Sequence, residues 1–198
     1  SIINNILITL IGIAFGIQVF YVLLFFIKNK KFPEAKVKHK FCIIIPARNE
    51  SKIIKQTVMH MQKLNYPREL YDIFVVADNC TDNTAELARE AGAIVFEHFD
   101  DEPSHKRVGY ALQFAFEKIL KEYDNYDAFV RFDADNLCHA DYLLKMNDAL
   151  DSGVKLARGY NGSKNLTQNL VSGVSGLWYI RDCRFSAHGR KLIGCGQL

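Results

Sequence analysis

The chain has 198 residues with a net charge of +3, and 49% of its residues are hydrophobic. This length and content suit one globular domain together with an additional apolar segment. The nearly balanced charge, without a basic patch that alternates with aromatic residues, gives no indication of a nucleic-acid partner. The five cysteines show no CxxC spacing, which predicts reduced thiols in a reducing compartment.

Residues 6–27 form an uncharged, apolar stretch of 22 residues. At about 1.5 Å per residue, a helix of this length crosses a hydrocarbon core of roughly 30 Å, so the sequence predicts a transmembrane helix within residues 1–27. A cleaved signal peptide fits less well, because no positive residue precedes the stretch and no small-residue cleavage site follows it. Six lysines lie within residues 28–40, so the positive-inside rule predicts a basic juxtamembrane linker and a soluble part in the cytoplasm.

The remainder of the chain alternates between two kinds of segment. Short apolar runs predict β-strands at 41–45, 73–77, 93–96, 128–132 and 155–159. Amphipathic segments predict helices at 50–64, 83–91, 108–122 and 140–150. We expect Pro46 to end the first strand. Repeated strand–helix units of this size predict an α/β fold in which a mostly parallel, Rossmann-like sheet is flanked by helices.

Asp133 and Asp135 directly follow the fourth predicted strand. Two carboxylates so close together repel each other unless a cation lies between them. Mg²⁺ and Mn²⁺ suit such a place, since Mg²⁺ typically binds through one or two carboxylates and completes its shell with water and phosphate oxygens. An Asp after a strand also serves as a turn former or a helix cap, and this alternative stays open for the pair taken alone.

Charged side chains also follow the other predicted strands. Glu50 comes after the first strand, Asp78 after the second and Lys106 after the third. The ligand crevice of an open α/β sheet lies outside the carboxyl ends of its strands, so we expect these groups to share one cleft with the two aspartates after the fourth strand. Taken singly, each has an ordinary structural role as a first-turn acid, a cap or a solvated loop charge.

These groups suit the binding of a nucleotide diphosphate. A metal at Asp135 can neutralise a departing pyrophosphate, and Lys106 adds positive charge near the phosphates. Asp78 and Glu50 can accept hydrogen bonds from a base and a ribose. Neither a GxxxxGK[ST] nor a GxGxxG segment occurs, which disfavours ATPases and dinucleotide enzymes.

Four segments carry a resemblance to a known family, in the order CIIIPARNE, VVADNCTDNT, HKRVGYAL and FVRFDAD. The sequence resembles the family 2 glycosyltransferases of GT-A fold, and among them the membrane-anchored bacterial enzymes that build cell-surface polysaccharides or glycolipids. The resemblance covers residues 41–196 and implies a GT-A nucleotide-sugar-binding domain at 41–198. It further implies inverting transfer of a hexosyl or N-acetylhexosaminyl group from a UDP-sugar to a polysaccharide or lipid-linked acceptor at a membrane.

The resemblance also implies roles for individual residues. The nucleotide sugar would be bound by Ala47, Glu50, Asp78, Lys106 and Asp133. The metal, Mg²⁺ or Mn²⁺, would be ligated by Asp133 and Asp135.

The sequence departs from the family pattern at three places. Ala77 stands where the family often has an acidic residue, and Cys80 stands where it has a serine. The family's catalytic base normally follows a Gly-x-Gly segment like the one at 194–196. We therefore expect the base beyond Leu198, in a chain truncated at its C-terminus that binds donor and metal without turnover.

Two alternatives to an active glycosyltransferase stay open on these grounds. A non-catalytic module that binds a sugar nucleotide would need no base. A nucleotidyltransferase on a similar fold would need a glycine-rich loop after the first strand, and residues 46–50 contain no glycine.

Residues 167–185 have apolar residues at roughly helical spacing, followed by arginines. Such a helix can lie at a membrane interface and guide a lipid-linked acceptor. It can equally be a core-facing helix whose arginines extend their charged tips into water.

Overall fold

The computed structural model describes residues 2–24, 26–27, 31–102, 107–123, 125–159, 162 and 167–186. The chain divides into two compact units, which we describe separately. The sheet unit comprises residues 34–153, and the helical unit comprises residues 1–33 and 154–198. The domain limits expected from the sequence stay predictions.

Four parallel strands form the sheet of the sheet unit: β1 (Phe41–Ala47), β2 (Tyr71–Asp78), β3 (Ile94–His98) and β4 (Ala128–Arg131). Their spatial order is β3-β2-β1-β4. Phe41 of β1 stands opposite Tyr71 on one side and opposite Ala128 on the other. Nearly every residue of β1 is buried, as expected for an apolar strand that is covered on both faces.

The helices are α1 (Ile2–Leu24), α2 (Ile54–Met61), α3 (Thr84–Glu90), α4 (Val108–Glu122), α5 (Tyr142–Asp151) and α6 (Leu170–Ile180). Helices α2, α3 and α5 cover one face of the sheet, where Ile43 and Ile45 point. Helix α4 covers the other face, where it packs against Ile44 and Phe74. The sheet is therefore flanked by helices on both sides, as predicted.

The order of the strands places a topological switch point between β1 and β4. From β1 the chain moves outward to β2 and β3, and it then returns through α4 to the opposite side of β1. In open α/β sheets the ligand crevice lies at such a point, outside the carboxyl ends of the strands. The loops after β1 and β4 are the ones that flank it.

Pro46 does not end β1, which continues to Ala47 opposite β2. The carbonyl of Ile44 accepts a hydrogen bond from the amide of Phe132 (3.1 Å), so Ile44 points its peptide groups toward β4. Pro46 lies two residues further and points to the same side, where pairing with β4 has already ended. The missing proline N–H therefore removes no sheet hydrogen bond.

The predicted fifth strand at 155–159 is wrong. These residues have no regular secondary structure, and the side chain of Leu156 is 58% exposed. The segment also carries Lys155 and Arg158, which leaves too few apolar side chains to form a strand buried on both faces.

Residues 34–40, predicted as part of a linker, are fastened to the sheet unit by side chains. The amide of Ala35 donates to Asp148 Oδ1 (3.0 Å), and the amide of His39 donates to Asn147 Oδ1 (2.9 Å). Asn147 in turn donates to the carbonyl of Val37 (2.9 Å). Asn147 is 3% exposed and Asp148 is 8% exposed, so this attachment is a built part of the fold.

The helical unit contains α1 and α6. Helix α1 has 23 residues, none of them buried, and it is long and apolar enough to cross a membrane. A signal sequence near an N-terminus shares these properties, so the membrane span and its orientation stay predictions. Helix α6 begins at a capping box between Asn169 and Ser172 and continues into a π-helical turn, Arg181–Ser186, which packs against α1.

Candidate functional site

Two asparagines shape the loops at the carboxyl ends of β1 and β2. Asn49 and Asn79 have φ values of 56° and 49°, a left-handed conformation that Asn tolerates better than most residues. Asn49 Oδ1 accepts a hydrogen bond from the amide of Thr81 (2.8 Å), which ties the two loops together. The amide of Asn79 donates to the carbonyl of His98 (2.7 Å), which adds the end of β3 to the same cluster.

Asp78, the last residue of β2, is the buried charge of the site, with a side chain that is 7% exposed. Its Oδ2 pairs with the guanidinium of Arg48. Its Oδ1 accepts hydrogen bonds from His98 Nδ1 (2.8 Å) and from Asn79 Nδ2 (3.0 Å). A carboxylate offers about four lone-pair positions, so three donors leave about one for a ligand. Asp78 is therefore held in place from two neighbouring strands.

A cleft of about 220 Å³ opens beside Asp78. It is lined by Pro46, Ala47 and Arg48 at the end of β1, by Asp78, and by Val108 and Ala111 of α4. The structure thus brings Ala47 and Asp78, two of the predicted binding residues, into one cleft. Pockets that hold whole drug-sized ligands measure about 300–1,000 Å³, so this cleft has room for only part of a ligand of that size.

Cys80 stands where the resembling family has a serine, and it keeps a hydrogen-bonding role. Its thiol donates to the carbonyl of Ala47 (3.4 Å) and receives the amide of Asn49 (3.5 Å). Burial raises the pKa of the Cys80 thiol, which keeps it protonated as a donor. Cys80 therefore links the loop after β1 to the loop after β2.

Glu50 lies beside the cleft without lining it. Its amide donates to Thr84 Oγ1 (2.8 Å), and Thr84 is fully buried. Asp82 accepts from Thr84 and from the amide of Ser51 (3.2 Å), and these hydrogen bonds, the one from the Thr84 hydroxyl first, lower the pKa of Asp82 to about 2. The backbone at Glu50 is thus fixed by the loop that follows β2.

Asp133 and Asp135 occupy an exposed turn after β4, on the far side of β1 from Asp78. Between them, Ala134 is buried and its carbonyl accepts the Thr57 hydroxyl of α2. Asp133 pairs with Arg131, whereas Asp135 forms no hydrogen bond or ion pair with any residue that the structure describes. The turn therefore directs two carboxylates outward while its backbone is anchored inward.

The residues present fit a divalent metal that is shared with a ligand. Among the described residues, no group of three His, Cys, Asp or Glu side chains could enclose a metal ion. Asp133 and Asp135 can supply one or two carboxylates, which is the usual protein share of a Mg²⁺ site completed by water and phosphate oxygens. The described residues at this edge of the sheet therefore do not supply a complete coordination shell by themselves.

Two residues that bind Asp78 were not predicted from the sequence, and the position of one predicted residue is not described. Arg48 and His98 were given no role, although Arg48 lies inside a quoted motif. The third strand was predicted to end at Phe96 but ends at His98, so no role was predicted for the His98 side chain. Lys106 lies outside the described residues.

The parallel sheet and the helices on both of its faces define a GT-A-type α/β fold. Residues 42–185 match the family model described as Glycosyl transferase family 2, and the chain belongs to this family. The predicted family and fold class are therefore confirmed. Membership supports glycosyl transfer as the reaction class, against the nucleotidyltransferase alternative.

Two curated relatives resemble segments of the chain, and one solved structure shares its fold. An 81-residue segment is 37% identical to the low-salt glycan biosynthesis hexosyltransferase Agl6 of Haloferax volcanii, covering 41% of this chain and 18% of Agl6. A 51-residue segment is 41% identical to the probable glycosyltransferase YdaM of Bacillus subtilis, covering 26% of this chain and 12% of YdaM. The mannosyltransferase PcManGT from Pyrobaculum calidifontis, solved in complex with GDP-Man and Mn²⁺, has a similar fold. Its TM-score is 0.57 at 22% identity, over 78% of this chain and 44% of PcManGT, so the chain spans less than half of each of these proteins.

Proposed function

We propose that this chain binds the donor in an inverting, metal-assisted glycosyltransferase that uses a UDP-sugar. The observation that carries the proposal is the pairing of a cleft with an exposed carboxylate turn across the switch point of the sheet. The cleft holds Asp78 at the end of β2, and the turn holds Asp133 and Asp135 after β4. Such a crevice is where open α/β sheets bind their ligands.

In this proposal the nucleoside lies in the cleft. Asp78 keeps about one lone-pair position beyond its three protein donors, and a uracil N–H can donate to it. Arg48 and His98 hold that carboxylate in position. Ala47 forms part of the cleft wall, and in our proposal Glu50 accepts a hydrogen bond from the ribose.

Asp135 and Asp133 would hold Mg²⁺ or Mn²⁺ together with the diphosphate. When bound, the metal supplies a Lewis acid that neutralises the charge of the leaving diphosphate. Asp135 has no described protein partner, so it is the principal ligand in our proposal. Asp133 would exchange its pairing with Arg131 for the metal or the ribose. Lys106 is proposed to face the phosphates.

Inversion requires a carboxylate that removes the proton of the acceptor hydroxyl as the sugar is transferred. Glu50, Asp78, Asp133 and Asp135 are all engaged with the donor or the metal in this proposal, so none of them is that base. The acceptor is proposed to be a polysaccharide or a lipid-linked glycan, with the sheet unit on the cytoplasmic side of a membrane spanned by α1.

Calorimetry of the chain with UDP and with GDP, in the presence and absence of Mn²⁺, tests the donor site. We expect UDP binding to be strengthened by Mn²⁺ and the strengthening to disappear in Asp135→Asn. Asp127→Asn is the matched control, because Asp127 lies just before the other end of β4 and its side chain is 53% exposed, the same fraction as Asp133.

The same titrations with Asp78→Ala test base recognition, and we expect this variant to lose its preference for UDP over GDP. Equal Mn²⁺ dependence in Asp135→Asn and in the control would count against the metal assignment. An unaltered preference in Asp78→Ala would count against the base assignment.

A further inference from the structure

Helix α6 presents its large apolar side chains outward. These five side chains, which we call the apolar face, are 58–83% exposed: Leu170, Val171, Val174, Leu177 and Trp178. At about 100° per residue they lie within one arc of roughly 120°. The opposite side of α6 carries Ser172, Gly176 and Tyr179, of which only Gly176 is buried. The helix therefore exposes the large side chains of its apolar face.

Within the described residues, this orientation differs from the core-facing interpretation of the segment. A core-facing helix would bury Leu170, Val174 and Leu177, and it does not. Single exposed apolar residues are ordinary, but a contiguous apolar face that includes a tryptophan marks a surface of interaction. The helix is well formed at its start, where Asn169 Oδ1 accepts the amide of Ser172 (2.9 Å).

The charge of the two units indicates which partner the apolar face meets. The helical unit holds ten Lys and Arg residues and one acidic residue, Asp182. The sheet unit holds fifteen basic and twenty-one acidic residues. All of the chain's net positive charge thus belongs to the unit that carries the apolar face. A partner with an apolar interior and a negative surface is complementary to this unit.

The C-terminal end of the apolar face has the side chains of a membrane boundary. The guanidinium of Arg181 lies over the ring of Trp178, 4.2 Å from its centroid. Tryptophan prefers the level of the lipid headgroups, and arginine extends its charge from that level toward phosphates and water. Helix α1 of the same unit is itself apolar and unburied along its whole length.

We propose that α6 lies in the surface of a membrane that contains anionic lipids, with its apolar face at the boundary between headgroups and acyl chains. Amphipathic helices of this kind insert their apolar face by ~5–10 Å. Arg181 then meets the headgroup phosphates. The apolar face belongs to the helical unit and the cleft residues belong to the sheet unit, and the inference does not depend on the proposed donor.

Trp178 is the one tryptophan of the chain, so intrinsic fluorescence reports on α6 alone. The full chain is reconstituted into vesicles of phosphatidylcholine, with and without phosphatidylglycerol. Phosphatidylcholines brominated at shallow or deep acyl positions quench the tryptophan according to its depth, and acrylamide quenches it from water. We expect a blue-shifted emission and acrylamide quenching that is several-fold weaker than in the chain unfolded in denaturant. We also expect shallow bromines to quench the tryptophan more strongly than deep ones. Phosphatidylglycerol should deepen each effect.

Anchoring through α1 alone does not produce this result, because Trp178 would then stay in water. Emission at the wavelength of exposed tryptophan, with full acrylamide quenching and no bromolipid quenching, overturns the proposal. Protection from acrylamide without bromolipid quenching, lost when the protein is diluted in lipid, assigns the face to a second copy and also overturns it.

A pair of variants locates the effect on the apolar face. Leu170→Ser with Leu177→Ser removes two of its members, and we expect bromolipid quenching of Trp178 to fall at least severalfold. Tyr179→Ser is the control, because Tyr179 is exposed but lies outside the arc. Circular dichroism checks that both variants keep their helices. Equal quenching in the two variants contradicts the assignment, and the depth measured in the unmodified chain stands as a test on its own.

Discussion

The pair between Arg48 and Asp78 can be measured in isolation by a double-mutant cycle. The Asp78 side chain is 7% exposed and that of Arg48 is 37% exposed. Removing one partner of a buried charge pair costs ~3–5 kcal/mol. We expect Arg48→Met to lie near the lower limit, because His98 and Asn79 still donate to the carboxylate. Asp78→Asn should destabilise less, by about 1–2 kcal/mol, since Arg48 stays partly hydrated.

The cycle is needed because Arg48 has contacts beyond Asp78. In the double variant those contacts cancel, and we expect the two substitutions to cost about 2 kcal/mol less together than their sum. Hydrogen exchange of the amides in β1 and β2 is the appropriate assay, because it reports the opening of the sheet unit by itself. A coupling of this size is a factor of about 30 in exchange rate.

The exposed pair of Lys55 and Glu90 is the control cycle. Its nitrogen–oxygen distance is 2.9 Å, but its side chains are 48% and 58% exposed. Exposed pairs contribute about 0–1 kcal/mol, so this coupling should be small. If the Arg48–Asp78 coupling is no larger than that of the control, Asp78 is not the buried, tightly held carboxylate that the proposed donor site requires.

Three further outcomes are expected. Asn147→Ala should destabilise the sheet unit by about 2 kcal/mol in the same exchange assay, because His39, Val37 and the buried Tyr66 lose their hydrogen bonds to this buried side chain, whereas the exposed Asn65→Ala should change little. The pKa of Asp82 is lowered in the folded state from 3.8 to about 2, so its contribution to stability is complete above pH 4 and is lost as the pH falls toward 2. Asp82→Asn should remove that part of the acid dependence of the Thr84 amide's exchange. Gly92→Ala should cost more than Gly153→Ala by thermal melting, because both have positive φ but only at Gly92 would the new methyl lie 3.0 Å from Gln62; equal losses would refute the steric argument.

The limits of an element could be predicted from the sequence where the residues of that element alone determine them. Helix α4 was predicted at its observed limits, because Ala111, Ala115 and Ile119 recur at helical spacing and form its buried side. Helix α2 was predicted at 50–64, which is too long at both ends. At its start, the amide of Glu50 is taken by the hydroxyl of Thr84 in the first turn of α3, and no local sequence pattern predicts that contact.

The edge of the sheet at which the site lies could be predicted from the sequence, but the pairing of its side chains could not. Parallel topology alone brings Asp78 and Asp133 to the same edge of the sheet. The partner of Asp78 is Arg48, thirty residues earlier, and it becomes a neighbour only when β1 and β2 pair. The direction of α6 was equally inaccessible, because an inward and an outward apolar face have the same periodicity.

The hydrogen bond from Thr57 to the carbonyl of Ala134 holds the carboxylate turn in position through its backbone rather than through its acidic side chains. The hydroxyl of Thr57 holds a backbone carbonyl, so the place of the turn does not depend on which side chains flank Ala134. Charge at positions 133 and 135 can therefore be altered while the peptide between them stays docked on α2. One consequence is that single substitutions at these two positions change the charge of this edge without rebuilding its scaffold.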